Sequence, residues 1–223
     1  DVQAGAMVRD ENLRSIVSAA YLELGSARFN MGDHLRCVPY LLRAVNYLPA
    51  NAEANFFLGN AHGALNNLDL STVYYQQAIA IRPDYVRAHT HLAFMLRRMG
   101  QIEGAIDHFE QVLELTPINI GALFGLSQIR STHPDAAIRN AAEALKLANT
   151  AVKATQGTNG QVLMAWGDAL AANGQFKEAI EVAEQAMARM GGGLQVETIR
   201  QRIAFYRQKR PYIEQPVVPN TFP

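Results

Sequence analysis

Residues 86–119, VRAHTHLAFMLRRMGQIEGAIDHFEQVLELTPIN, limit what this chain can fold into more than any other stretch. They read as two amphipathic helices around the turn Met99-Gly100-Gln101. Leu92 and Ala93 lie near the middle of the first helix. Ala105, Phe109 and Val112 share a face of the second, and Pro117 closes the unit. The same residue types recur at a period of about 34 residues. Leu24-Gly25 and Leu58-Gly59 precede Leu92-Ala93, Ala44 and Ala78 precede Val112, and Pro49 and Pro83 precede Pro117. A helix pair of this size cannot bury its apolar face alone, so units of this kind stack. The pattern predicts an all-α chain.

In chain order, residues 1–17 are a lead-in and the start of a first helix, which the spacing of Leu13, Ile16, Val17 and Ala20 places from about Asn12. The first repeat is 18–51. Gly25 lets its two helices approach, Cys37 and Ala44 are small where the second helix packs, and Pro39 falls early in that helix, where a proline is tolerated. The second repeat is 52–85, with Asn66-Asn67 in place of a glycine turn. The third is 86–119. The fourth, 120–159, runs beyond the period. His133-Pro134-Asp135 must end its first helix, which predicts an extra helical turn or a longer loop around residues 135–142. The fifth, 160–193, recovers the register with Trp166, Gly167, Ala179, Ala183 and Ala186 and ends at Gly191-Gly192-Gly193. Residues 194–210 read as a capping helix over the apolar end of the stack, and the Pro-rich residues 211–223 as an extended, unpacked tail.

Twenty Lys+Arg balance twenty Asp+Glu in the 223 residues, so no global field favours nucleic acid or an anionic membrane. The single Cys37 excludes an internal disulfide and a cysteine-rich metal site. No apolar run approaches the ~18 residues of a membrane span. The chain starts at Asp1, so it is expected to be a processed product or part of a longer protein, with any anchor upstream.

Side chains that invite chemistry read as structural. His89 and His91 lie on different faces of one helix, and His62 and His89 fall at packing offsets. Cys37 with His34 has the spacing of a nucleophile–base pair, but Cys37 holds a buried small-residue position, where a thiol is inert. No strand and no Gly-rich phosphate loop are present. The expectation is a protein that is not an enzyme and uses no metal and no cofactor.

With five units in register, residues 18–193 resemble the tetratricopeptide repeat family. The resemblance implies a right-handed α-solenoid of about five helix–turn–helix repeats plus a capping helix. A narrower likeness begins at His133. HPDAAIRNAAEALKLANTAVKATQG, WGDALAANGQFKEAIEVAEQAM and IRQRIAFYRQKRPYIEQP are similar to the closing segment of repeat domains in a group of bacterial proteins. In that group the repeats often follow a polytopic, glycosyltransferase-like membrane region. This implies a bacterial origin and a membrane-associated or periplasmic setting, and carries no transferase activity.

By family geometry the first helices line a groove, and their facing positions include Asn30, Phe56, Asn60, Arg87, Phe94, Arg97, Arg98, Phe124, Gln128 and Asp168. The resemblance implies a partner that is a protein or extended peptide segment, with no nucleic acid. Arg97 and Arg98 would pair with carboxylates, Asn60 and Gln128 with peptide backbone, and Phe56 and Phe94 with apolar side chains. Of the positions that clamp a C-terminal carboxylate in some family members, only Asn60 matches. A second expectation is a subunit of a multi-protein complex that joins through its convex faces, its ends and the tail, next to Arg200, Arg202, Arg207, Lys209 and Arg210. A third is an accessory domain that presents acceptor protein to a membrane glycosyltransferase.

Overall fold

In a computed structural model describing residues 2–190 and 194–215, the chain forms eleven α-helices, with no strand among the described residues. It divides into two compact units, Asp1–Gln101 and Ile102–Pro223. The boundary falls inside the 86–119 repeat, not at a repeat end. The first unit contains α1 (Val2–Asn30), α2 (His34–Tyr47), α3 (Ala52–Ala64), α4 (Leu68–Ile81) and α5 (Val86–Arg98). The second contains α6 (Ile102–Leu115), α7 (Ile120–Thr132), α8 (Ala141–Ala154), α9 (Gly160–Ala172), α10 (Phe176–Arg189) and α11 (Leu194–Arg207).

Within each unit every helix packs on the next in sequence. In addition α1 lies beside α3 and α3 beside α5 in the first unit, and α7 beside α9 in the second. The small residues set these approaches. A Cβ on Gly59 would lie 2.5 Å from Tyr75 Cε1, and one on Gly125 would lie 2.3 Å from Phe109 Cζ, so each glycine is the floor on which an aromatic ring of a neighbouring helix rests. Serines at the adjoining offsets pin the pairs. Ser71 donates to the Gly59 carbonyl at 2.8 Å and Ser127 to the Ala144 carbonyl at 3.0 Å. Asparagine side chains cap α3, α7, α8 and α9 from Asn51, Asn119, Asn140 and Asn159. The turn after α3 takes its left-handed residue at Asn66, φ 60°, which Asn tolerates better than other non-glycine residues.

Several elements differ from their sequence reading. The first helix begins at Val2 rather than near Asn12. Residues 2–11 hold helix formers such as Gln, Ala, Met, Arg and Glu and no proline, so propensity carries the helix beyond its apolar stripe. α2 begins at His34, so Pro39 lies past the first turn. The carbonyl of Leu35 loses its helical partner there, on a solvent-facing side where water can bond it. Leu24 shares the offset of buried Leu58, Leu92 and Leu126 but is 51% exposed, because no described helix covers that side of the first repeat. The irregular fourth unit holds its extra residues as a loop, 133–140, between α7 and α8. Two arginines clasp it, Arg139 donating to the carbonyls of His133 and Pro134 and Arg130 to that of Ile138. Gly191-Gly192-Gly193 and residues 216–223 lie outside the described residues.

The tail is corrected in part. Lys209, φ 54°, turns the chain back after α11, and residues 211–215 do not run free. Tyr212 packs against the apolar cluster of α9, α10 and α11, and Glu214 bonds the end of α7. An aromatic ring with apolar surface to bury holds this segment against the fold.

Candidate interaction site

In the first unit α1, α3 and α5 surround a cleft of ≈ 250 Å³ lined by Phe29, Asn60, Gly63, Ala64, Tyr75, His91 and Met95. Glycine at 63 and alanine at 64 keep its floor open, and Asn60 Oδ1 accepts from the Tyr75 hydroxyl at 2.8 Å. His91 has access to solvent yet stands against Phe56 and Tyr75. Desolvation there, with Arg87's charge in addition, holds its imidazole below the usual value. Burial pushes the Tyr75 phenol from 10.0 up to about 12. The folded chain therefore keeps that proton at a pH where the unfolded chain has lost it. Its stabilising contribution is whole below pH 10 and is lost as pH rises from 10 toward about 12. Urea midpoints measured across that range should fall more steeply for the wild type than for Tyr75→Phe.

The predicted groove residues of this unit divide by burial. Asn30 and Arg98 are exposed, and Phe94 and Arg97 half-buried. Arg98 donates to Asn66 Oδ1 at 2.8 Å. Arg87 is exposed, 3.7 Å from Glu53, with its guanidinium 4.4 Å over the Phe56 ring. Phe56 does not lie open on the groove. At 1% exposure it packs among Phe57, Tyr75, Tyr85 and His91, because the side-by-side first helices leave its ring nowhere else to go.

In the second unit Phe124 and Gln128 are half-buried and line a cleft of ≈ 190 Å³ with Gln161, Met164, Met190, Thr198, Ile199 and Arg202. Asp168 is not at an open surface. It is 2% exposed and accepts from Arg202 Nη1 and, at 2.6 Å, from the Tyr206 hydroxyl. Burial, helped by the charge and hydrogen bond of Asp168, pushes the Tyr206 phenol far up, so it stays a donor. The acid anchors α11. Its cue in the sequence is Arg202 and Tyr206, one helical turn apart, opposite an acid at a groove position. Tyr75, His91 and Met95 were missed for the first unit, and Tyr212 and Glu214 for the second.

Of the residues read as structural, His91 lines the cleft, whereas His89, His62 and Cys37 stand in packed surroundings. His89 is 2% exposed with Nε2 2.9 Å from the Pro83 carbonyl, and the His62 ring stacks on Tyr74. Cys37 is fully buried and its thiol meets the carbonyl of His34, not the imidazole. Burial first, and Asp33 second, push its pKa up. Among the described residues no three His, Cys, Asp or Glu converge as a metal site would require.

Two tetratricopeptide repeat family models match the sequence, over residues 52–85 and residues 74–107. Residues 52–107 match tetratricopeptide repeats. The first match has the same bounds as the second repeat. No curated protein matches the chain in sequence. Among solved structures, pilF of Pseudomonas aeruginosa is similar with a TM-score of 0.71 and 16% identity, over 88% of this chain and 86% of that one. YrrB, described as a tetratricopeptide repeat protein with an unusual peptide-binding site, has a TM-score of 0.62 and 13% identity, over 81% and 90%. A mutant O-GlcNAc transferase of Thermobaculum terrenum has a TM-score of 0.57 and 25% identity, over 63% of this chain and 26% of that one. The fold class is the all-α repeat solenoid, and the first two likenesses carry the fold alone.

Proposed function

We propose that this chain is a non-catalytic protein-interaction scaffold, a subunit of a larger membrane-associated bacterial complex, and that its first unit takes an extended acidic segment along α1, α3 and α5. The observation that carries this is the cleft beside Asn60, Tyr75 and His91, bordered by the cationic helix α5 with Arg87, Arg97 and Arg98. The Arg87–Glu53 pair is solvent-exposed, and pairs of that kind contribute only about 0–1 kcal/mol. A carboxylate of a partner can take Glu53's place at little cost, whereas an apolar segment gains nothing there. The peptide-binding site ascribed to YrrB supports the general reading. The bacterial and membrane setting rests on the likeness of the chain from His133 onward. No described helix is long and apolar enough to cross a bilayer itself.

The test is affinity capture from the native source, comparing the wild type with the triple variant Arg87→Glu, Arg97→Glu, Arg98→Glu, after circular dichroism shows equal helicity. Reversing three charges should lower recovery of the partner by at least about tenfold, since three exposed pairs worth about 0–1 kcal/mol each are lost and each is replaced by like-charge repulsion of similar size. Undiminished recovery would move the interface off this face.

The likeness to part of an O-GlcNAc transferase favours one second reading, an accessory domain that presents acceptor protein to a glycosyltransferase. The gene sequence upstream decides it. A coding region with no transferase or polytopic membrane segment removes that reading and leaves the scaffold.

A further inference from the structure

We propose that two copies of this chain pair through α1, antiparallel about a twofold axis at Ala20, and bury the apolar stripe of Leu13, Ile16, Ala20, Leu24, Ala27 and Met31 against each other. These residues recur every three or four positions, so they lie along one side of the helix and its end. All of them are exposed, Ile16 at 66% and Met31 at 83%. None of them lines the cleft of the first unit.

The second repeat shows what such a stripe receives. Ala54, Leu58 and Ala61 are the same residues one period after Ala20, Leu24 and Ala27, and all three are fully buried. Leu58 and Ala61 share a buried cluster with Cys37 and Leu41 of α2, the helix before α3. α1 therefore carries the same socket for a helix, and no described helix fills it. From Leu13 to Met31 the stripe runs about 27 Å at 1.5 Å per residue, and a contiguous exposed apolar face of that length marks an interaction surface.

A second α1 matches this face in size and in charge. With Ala20 on the axis, the antiparallel register sets Leu13 over Ala27 of the second copy, Ile16 beside Leu24, and Ala20 on Ala20. Large residues then meet small ones, and the alanine contact at the centre lets the helices approach closely. A parallel pair would set Leu13 on Leu13 and Ala27 on Ala27, crowding one end and leaving the other hollow. The contact is self-complementary, as a closed twofold dimer requires. Asp10, Arg14 and Arg28 flank the stripe on one side. Asp10 and Arg14 stand 3.4 Å apart, and Arg28 holds Asp33 at 3.6 Å. The same register brings the first pair of one copy beside the second pair of the other, so acids and bases meet in equal number on each side of the axis.

This inference is independent of the first-unit groove, and its test touches none of Arg87, Arg97 or Arg98. Sedimentation equilibrium of the full chain should show a monomer–dimer equilibrium with a dissociation constant in the micromolar range. Ala20→Arg puts two like charges on the axis and should raise that constant at least about tenfold. Leu70→Arg, at an exposed apolar residue of α4, should leave it unchanged. Circular dichroism checks that both variants are as helical as the wild type, which the exposure of both positions predicts. Cys37 is fully buried, so introduced thiols react alone. A Leu13→Cys chain mixed with an Ala27→Cys chain should be joined by a short bismaleimide, and neither chain should be joined to itself. A monomer at every concentration, which leaves the stripe to a helix of a different protein, overturns the proposal. So does a dimer that Ala20→Arg does not weaken or that Leu70→Arg does, or the absence of the crossed 13–27 product.

Discussion

Asp168→Ala will destabilise the second unit by about 3–5 kcal/mol, the cost of leaving a buried charge without its partner. Asp168 is the acceptor for Arg202, whose side chain is only 11% exposed, and for the hydroxyl of Tyr206, itself 1% exposed. Removing the carboxylate leaves a guanidinium and a phenol under α11 with no acceptor at that point. The phenol, on a residue 1% exposed, cannot reach water unless the helix lifts. Lifting it would expose Ile199, Ile203 and Tyr206 together with Leu163, Met164 and Leu170, which they cover. The expected outcome is partial detachment, with fast amide hydrogen exchange across α11 and a lower urea midpoint. Tyr206→Phe keeps the ion pair and loses one hydrogen bond to a charged group, so it should cost only about 1.5–3 kcal/mol. If Asp168→Ala unfolds no more easily than Tyr206→Phe, the ion pair is not what holds α11.

The second large effect lies at Phe109, which is fully buried in α6 with its ring over Gly125 of α7. Phe109→Ala should cost about 3–5 kcal/mol through lost transfer energy and the cavity left behind. Gly125→Ala alone should cost about 1–3 kcal/mol, because its new Cβ would have to displace the ring. The two losses should not add. With the ring gone, the alanine at 125 has room and fills part of the cavity, so the double variant should be more stable than the sum of the single losses predicts. Urea denaturation of the four proteins measures the coupling, and strict additivity would show that the ring and the glycine do not set each other's position.

These two sites mark what could and could not be read from the chain. Gly59 with Tyr75 and Ser71, and Ala44, Ala78 and Val112 one period apart, announce helix pairs because each contact joins residues within a repeat or in the next one. Local spacing therefore carries the all-α class, most helix ends and the turn at Asn66. The groove was legible only as a set of offsets. Phe56 occupies a facing offset, yet it is buried, because which of the facing positions stay open depends on how closely the neighbouring first helices stand.

The sequence by itself determined the helix-pair repeat and its period, since apolar spacing and small residues at fixed offsets act between near neighbours. Only the tertiary structure decided that Asp168 anchors α11 and that Glu214 bonds Thr132. Those contacts join side chains 34 and 82 positions apart. The first spans one repeat period, yet the offsets do not say which facing residues stay buried, and the second joins a tail residue to a helix-end carbonyl that no repeat spacing encodes.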